Sequence, residues 1–309
     1  KFIKSLSPFQ KNWLLDIKDE TNKNSCCYLI PREDGKIFAA VKFINDDNFW
    51  NISEIANSLP VRNWELDTSF SKKITLDFIQ LGWELAQYNF SFGIKNKSRK
   101  KYPKLVLPKN KISKEIIAIS QGTHLVREMI NLPANIMNPE KIEQIAITLK
   151  NLFSCKLKIF KNKSLKKHFP AVYHVGKSSI HKPRLIDLNW GNSGPNIIII
   201  GKGVTFDTGG LNIKSTNGME LMKKDMGGAA HAIGLAFILM KLKINLRLRL
   251  IIPIAENSIS NNSMRPSDII NTRSGLKVEI GNTDAEGRLL LADALDYSIN
   301  NFSSTPDFL

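Results

Sequence analysis

Four isoleucines in a row, in Asn196-Ile197-Ile198-Ile199-Ile200, end at Gly201. A continuous apolar run closed by glycine reads as a strand buried on both faces. Around it the hydrophobic pattern switches repeatedly between two periods. Residues 142–152, 227–242 and 288–299 carry apolar positions at helical spacing, whereas 156–160 and 246–254 read as extended. Helix and strand alternating in this way predict an α/β fold, a mostly parallel sheet flanked by helices. Loops leaving the carboxyl ends of such strands carry ligands. Lys202 sits on one of them.

The first third has a different texture. Residues 1–112 mix short apolar runs, such as Cys27-Tyr28-Leu29-Ile30-Pro31 and Ile37-Phe38-Ala39-Ala40-Val41, with turns and a helical segment near 76–88. No catalytic constellation occurs there, so a smaller α/β N-terminal domain is expected. Residues 101–111 are basic and contain Pro103 and Pro108, as a linker does. Over 114–131, Ile116, Ile117, Ile119, Leu125, Val126 and Ile130 recur at near-helical spacing and predict a connecting helix, stopped by Leu132-Pro133. The division is therefore 1–112 and 113–309.

At 309 residues and 42% hydrophobic content the chain can bury a full core. Its net charge of +16 raises the possibility of a nucleic-acid partner. The lysines, however, are scattered among Asn and Ile, as in Lys95-Asn96-Lys97 and Lys161-Asn162-Lys163, and compositional drift is the favoured reading. Cys26 and Cys27 are adjacent and Cys155 stands alone, which excludes a disulfide framework and fits a reducing cytoplasm. No apolar run approaches the ~18 residues a membrane span needs. The histidines, His124, His168, His174, His181 and His231, form no ligand spacing.

Chemistry concentrates in three stretches. Gly281-Asn282-Thr283-Asp284-Ala285-Glu286-Gly287-Arg288 sets two carboxylates and a guanidinium at alternate positions, which in an extended segment would face one side. Gly201, Gly203, Gly209 and Gly210 bracket Lys202 and Asp207 and allow tight turns that aim both inward. Lys214 follows, and then Lys224-Asp225-Met226-Gly227-Gly228. A phosphate-binding loop fails on spacing, because no third glycine stands at Phe206 and no G-x-x-x-x-G-K-[ST] occurs. The carboxylates suit a divalent metal, and the set suits a hydrolase.

In order and separation, Lys202, Asp207, Lys214, Asp225 and Asn282-Thr283-Asp284-Ala285-Glu286-Gly287-Arg288 resemble the leucyl (cytosol) aminopeptidases, two-metal exopeptidases. The resemblance continues through Leu289-Leu290-Leu291-Ala292-Asp293-Ala294-Leu295 and covers about residues 120–309, with supporting matches from Arg127 to Asn135, at Val175-Gly176-Lys177 and at Pro183-Arg184-Leu185-Ile186. It implies a metal-dependent enzyme that removes N-terminal, Leu-like residues from peptides. By resemblance Asp207 and Glu286 bridge two divalent ions, Mn²⁺ or Zn²⁺. Lys202 and Asp225 serve one ion and Asp284 the other. Lys214 and Arg288 act in catalysis, Arg288 holding a bicarbonate, and Met222 walls the substrate pocket. The family is cytoplasmic and forms hexamers. Its catalytic domain continues beyond the position of Leu309, so the chain, which lacks an initiator Met and stops at Thr305-Pro306-Asp307-Phe308-Leu309, reads as a C-terminally truncated member. Nucleic-acid binding and an inactive aminopeptidase fragment are the alternatives.

Overall fold

The computed structural model describes residues 2–21, 27–43, 50–67, 75–93, 101–107, 112–300 and 305–309. Contacts divide the chain into two units, Lys1–Ser120 and Gln121–Leu309. The division falls inside helix α5 (Lys114–Asn131).

In the first unit, α1 (Phe2–Ser5) and α2 (Pro8–Thr21) precede an antiparallel hairpin of β1 (Tyr28–Pro31) and β2 (Ile37–Val41). Then come α3 (Trp50–Ser58), β3 (Asn63–Glu65), α4 (Leu76–Ala86) and β4 (Lys104–Val106), which pairs parallel with β3. Small apolar clusters, Leu6-Leu14-Tyr28-Ile30 and Ile52-Ala56-Leu59-Ile79-Trp83, hold these elements. The linker expected at 101–111 is corrected here: β4 lies within it, and Trp83 Nε1 donates to the Pro103 carbonyl at 3.1 Å. A basic, proline-bearing segment can still be a strand when short and at an edge. Pro108, Lys95-Asn96-Lys97 and Cys26 lie outside the described residues.

The second unit runs α6 (Pro139–Phe153), β5 (Lys156–Lys161), α7 (Asn162–His168), α8 (Pro170–Gly176), β6 (Arg184–Trp190), β7 (Asn196–Ile200), β8 (Gly203–Asp207) and α9 (Thr216–Met219). It continues through α10 (Gly227–Lys241), β9 (Arg247–Asn257), the hairpin β10 (Ile269–Asn271) and β11 (Lys277–Glu279), and α11 (Glu286–Asn300). The strand order is β5-β6-β9-β7, and β8 also pairs with β9, at the far end of that long strand. Both β7 and β8 run parallel to β9, whereas β6 is antiparallel to β9 and to β5. Four strands therefore point one way and β6 opposes them, within an α/β fold whose sheet is flanked by helices. Phe308 joins the open side of β7, where Ile198 N donates to its carbonyl at 2.9 Å.

Leu185, Ile186 and Leu188 of β6 and Leu250, Ile251, Ile252 and Ile254 of β9 are fully buried, as central strands covered on both faces must be. Polar groups are buried there too, but paired. Arg249 donates to Asp187 from Nε at 2.8 Å and Nη2 at 2.6 Å, and the Tyr297 hydroxyl donates to the same carboxylate at 2.8 Å. This bidentate pair with a third donor ties α11 to two strands. One helical turn earlier, the buried Asp293 accepts from Ala171 N at 2.9 Å and Val172 N at 3.3 Å, capping α8, and from Arg273 N at 2.7 Å. Together these anchors fix the position of α11. Its first residue is Glu286. Among the described residues no helix is long and apolar enough to cross a membrane.

Candidate functional site

β8 and β9 end side by side, with Asp207 paired to Asn257 in the sheet register. Lys202 lies in the short turn between β7 and β8, where Ala229 N at the start of α10 donates to its carbonyl at 2.8 Å. That approach requires glycine: a Cβ on Gly201 would meet Gly228 O at 2.7 Å and the Ala229 Cα at 2.8 Å. The Lys202 side chain then runs over the start of α11. Its Nζ is 2.5 Å from Asp225 Oδ2 and 3.2 Å from Glu286 Oε1.

Asp225 comes from a 3-10 turn, Met222–Met226, that leads into α10. Lys214 reaches from the loop after β8 to Asp207 Oδ2 at 3.0 Å and to Asp284. Two lysines thus meet four carboxylates. Asp207, Asp284 and Glu286 bring oxygens within 4.8 Å of one another. Asp207 and Glu286 are almost wholly buried, and the Asp284 side chain is 32% exposed.

The loop carrying these groups is closely braced. Asp207 Oδ1 accepts from Gly209 N at 2.9 Å and from Asn257 Nδ2 at 2.8 Å. Thr283 and Asn212 form a reciprocal clasp: Thr283 N donates to Asn212 Oδ1 and Asn212 N donates to Thr283 Oγ1, both at 2.8 Å, while Thr283 Oγ1 donates to Gly209 O at 2.6 Å. Gly209 has φ +85°, and a Cβ there would lie 2.4 Å from Asn212 O. Thr283 reads from sequence as a residue that shapes the backbone, whereas nothing in the sequence marks Asn257 or Asn212 as bracing groups. Asn257 closes a strand fifty residues from Asp207, and no local pattern announces it.

Crowded buried carboxylates resist ionising. Burial, reinforced by Asp207, raises the Glu286 pKa, and burial raises that of Asp225 against the pull of Lys202. Burial by itself would lower the Lys214 pKa, but hydrogen bonds and charge from Asp284 and Asp207 raise it well above the usual lysine value. Lys214 is therefore a firmly protonated ammonium in this arrangement.

The extended reading of 281–288 is corrected. Thr283–Ala285 is a 3-10 turn and Glu286 opens α11. Two helical steps lead from Glu286 to Arg288, a rotation of about 200°. Glu286 accordingly turns inward while Arg288 is exposed and makes no ion pair among the described residues. Lys202, Asp207, Lys214, Asp225, Asp284 and Glu286 are brought together; Arg288 follows Glu286 by two positions on α11, exposed. Met222 is half-buried at the start of the 3-10 turn bearing Asp225.

Whether the residues fit a metal can be read from the donors. Glu286 Oε2 is buried with no hydrogen-bond or ion-pair partner among the described residues, whereas Asp225 Oδ2 and Asp284 Oδ1 each face a lysine ammonium. A buried carboxylate oxygen left without a partner is costly unless a cation meets it. Oxygen donors with one amine suit Mn²⁺ or Zn²⁺. The set fits.

Residues 124–309 match the cytosol aminopeptidase family, catalytic domain. Probable cytosol aminopeptidase of Xanthomonas campestris pv. campestris (strain B100) is 39% identical over 186 residues, covering 59% of this chain and 38% of that protein. The corresponding protein of Xylella fastidiosa (strain 9a5c) is 41% identical over 187 residues, again 59% of this chain and 38% of its own length. The aligned stretch thus spans well under half the length of these relatives. Among solved structures, cytosol aminopeptidase from Coxiella burnetii superposes with TM-score 0.89 at 34% identity, covering 97% of this chain and 65% of that one. Leucyl aminopeptidase from Trypanosoma brucei, in complex with bestatin, gives TM-score 0.79 at 25% identity over 97% of this chain and 64% of its own. With its metal-suited carboxylate cluster lying wholly inside the matched residues, the chain belongs to the cytosol aminopeptidase family, a family of hydrolases.

Proposed function

We propose that the protein is a two-metal aminopeptidase that releases N-terminal, Leu-like residues from peptides. The observation that carries the reading is the convergence of Asp207, Asp284 and Glu286 oxygens within 4.8 Å, together with the unpartnered, buried Glu286 Oε2. Lys202, Asp207, Asp225, Asp284 and Glu286 would hold the ions. Four carboxylate charges balance two dications when Lys202 ligates as a neutral amine, which requires loss of its proton. When bound, the ions supply Lewis acidity and an acidified water.

The remaining work falls to this chain's own groups. Lys214, reaching from the loop after β8 to the carboxylate cluster, would present positive charge where an oxyanion develops at the scissile carbonyl. Arg288, exposed at the helix start, offers a planar fork for a bicarbonate that would accept and return protons. Met222 contributes apolar surface toward the N-terminal side chain of the peptide. A free α-amine is the group an exopeptidase reads.

Product analysis tests the proposal. With the intact protein and Mn²⁺, mass spectrometry of a leucine-led peptide should show stepwise loss of single N-terminal residues and no cleavage of the same peptide when N-acetylated. Internal cleavage, or equal cleavage of the blocked peptide, would contradict it.

A further inference from the structure

Asn257 is the last residue of β9 and is 2% exposed. Its side-chain amide has two N–H donors, and both are used. One goes to Asp207 Oδ1 at 2.8 Å and the other to the Thr283 carbonyl at 3.1 Å. These acceptors belong to the two ligand-bearing segments of the site. Asp207 ends β8, while Thr283 directly precedes Asp284 and opens the 3-10 turn that delivers Glu286. A single buried amide therefore sets the spacing between segments about 76 residues apart in the chain.

We infer that Asn257 is a positioning residue for the metal-ligating carboxylates, locking the Asp207 carboxylate and tying it to the Asp284–Glu286 segment. The inference rests on the two-metal reading above. With Gly209 N and Asn257 both donating to Asp207 Oδ1, that oxygen is filled and the carboxylate plane is fixed. Oδ2 is left facing the centre, where Lys214 Nζ lies at 3.0 Å. The terminal torsion of an aspartate is otherwise broad, so without the second donor the plane can turn. The same amide satisfies a carbonyl in the buried turn at Thr283, whose residue is fully buried. Backbone contacts brace the arrangement from the other side: Thr208 N and Thr208 Oγ1 both donate to the Asn257 carbonyl, at 3.1 and 2.9 Å. Asn257 is thus held at its main chain by the loop it organises with its side chain.

Hydrogen-bonding partners of metal ligands characteristically change metal affinity by about 10–100-fold when removed. The test uses the intact protein and the metal alone. Mn²⁺ and Zn²⁺ affinities are measured by competition with a chromophoric chelator, without substrate, for the unsubstituted protein, Asn257→Ala and Asn257→Ser, alongside the unfolding midpoint of each in metal-free buffer. A serine hydroxyl can donate to only one of the two acceptors. The expected result is a graded loss, with affinity falling about 10–100-fold in Asn257→Ala and by an intermediate amount in Asn257→Ser. If Asn257→Ala does not fold, the milder variant alone decides. A lower metal-free midpoint with unchanged affinity would overturn the inference and leave Asn257 merely structural. Equal affinities with equal midpoints would overturn it too. Failure of the unsubstituted protein to take up metal would overturn the two-metal reading and this inference together.

Discussion

Gly287→Ala should separate activity from stability. Gly287 is the second residue of α11, and a Cβ built there would lie 2.3 Å from Lys202 Cε and 2.9 Å from Cδ. Carbon atoms pack at about 3.5–4.0 Å, so the end of the lysine must move by roughly 1.2–1.7 Å. The obstructed atoms belong to the far end of a flexible side chain, which can swing aside without disturbing the backbone. Alanine is also favoured over glycine in a helix by about 0.5–1 kcal/mol. Stability in metal-free buffer should therefore be unchanged or slightly increased. Function should not survive as well, because the displaced Nζ leaves Asp225 at 2.5 Å and Glu286 at 3.2 Å. A misplacement of that size can cost about 10²-fold in rate. Thermal unfolding and leucine p-nitroanilide hydrolysis with Mn²⁺, both on the intact protein, make the comparison. Near-normal turnover would refute a ligating role for Lys202, and a large fall in unfolding temperature would show that the backbone, not the lysine, had yielded.

Lys214→Ala and Arg288→Ala should each lower kcat by about 10²–10³ with both metals retained, and near-normal turnover in either variant would remove that residue from the mechanism. Burial pushes the Asp293 carboxyl from 3.8 up to about 6, against the pull of its three N–H donors. An acid whose folded pKa is raised binds more protons folded than unfolded, so its contribution to stability falls as pH rises from 3.8 to about 6 and levels off above. Urea unfolding of the natural protein and of Asp293→Asn across that range should show the difference between them shrinking with rising pH, and a growing difference would mean that the N–H donors keep the carboxylate ionised. Duplex DNA binding should be weak, steeply salt-sensitive and indifferent to sequence; a sequence-preferring complex at physiological salt would contradict compositional drift as the source of the charge.

What the chain reveals without a structure follows where its polar groups end up. β7 and β9 were legible from their apolar runs, Ile197–Ile200 and Leu250–Ile254, although only Ile198 of β7 is fully covered and β9 also buries Arg249 against Asp187. β6 was not read as a strand, since Arg184, Asp187 and Asn189 break its hydropathy, yet Arg184 and Asp187 are buried against Glu143 and Arg249. Its polar positions are satisfied by partners that no local window contains. β8 was read as loop because glycines bracket it, although glycine at Gly203 answers a close approach by Pro253 O, 2.8 Å from where a Cβ would sit. Asp284 and Glu286 stood out by their spacing and Lys202 and Asp207 by their bracketing glycines, while the family resemblance added Asp225 and named all five as candidate ligands. How they are held was not visible: Asn257 donates to Asp207 across the sheet, and Glu286 opens a helix where the spacing alone suggested an extended segment.

The central claim is that five side chains hold two ions that the activity requires. Elemental analysis of the intact, active protein, followed by chelation and readdition of Mn²⁺ or Zn²⁺, addresses it most directly. Two divalent ions per subunit are predicted, with activity on leucine p-nitroanilide lost as they are removed and regained as they return. Full activity in protein carrying fewer than two ions per subunit would contradict the account.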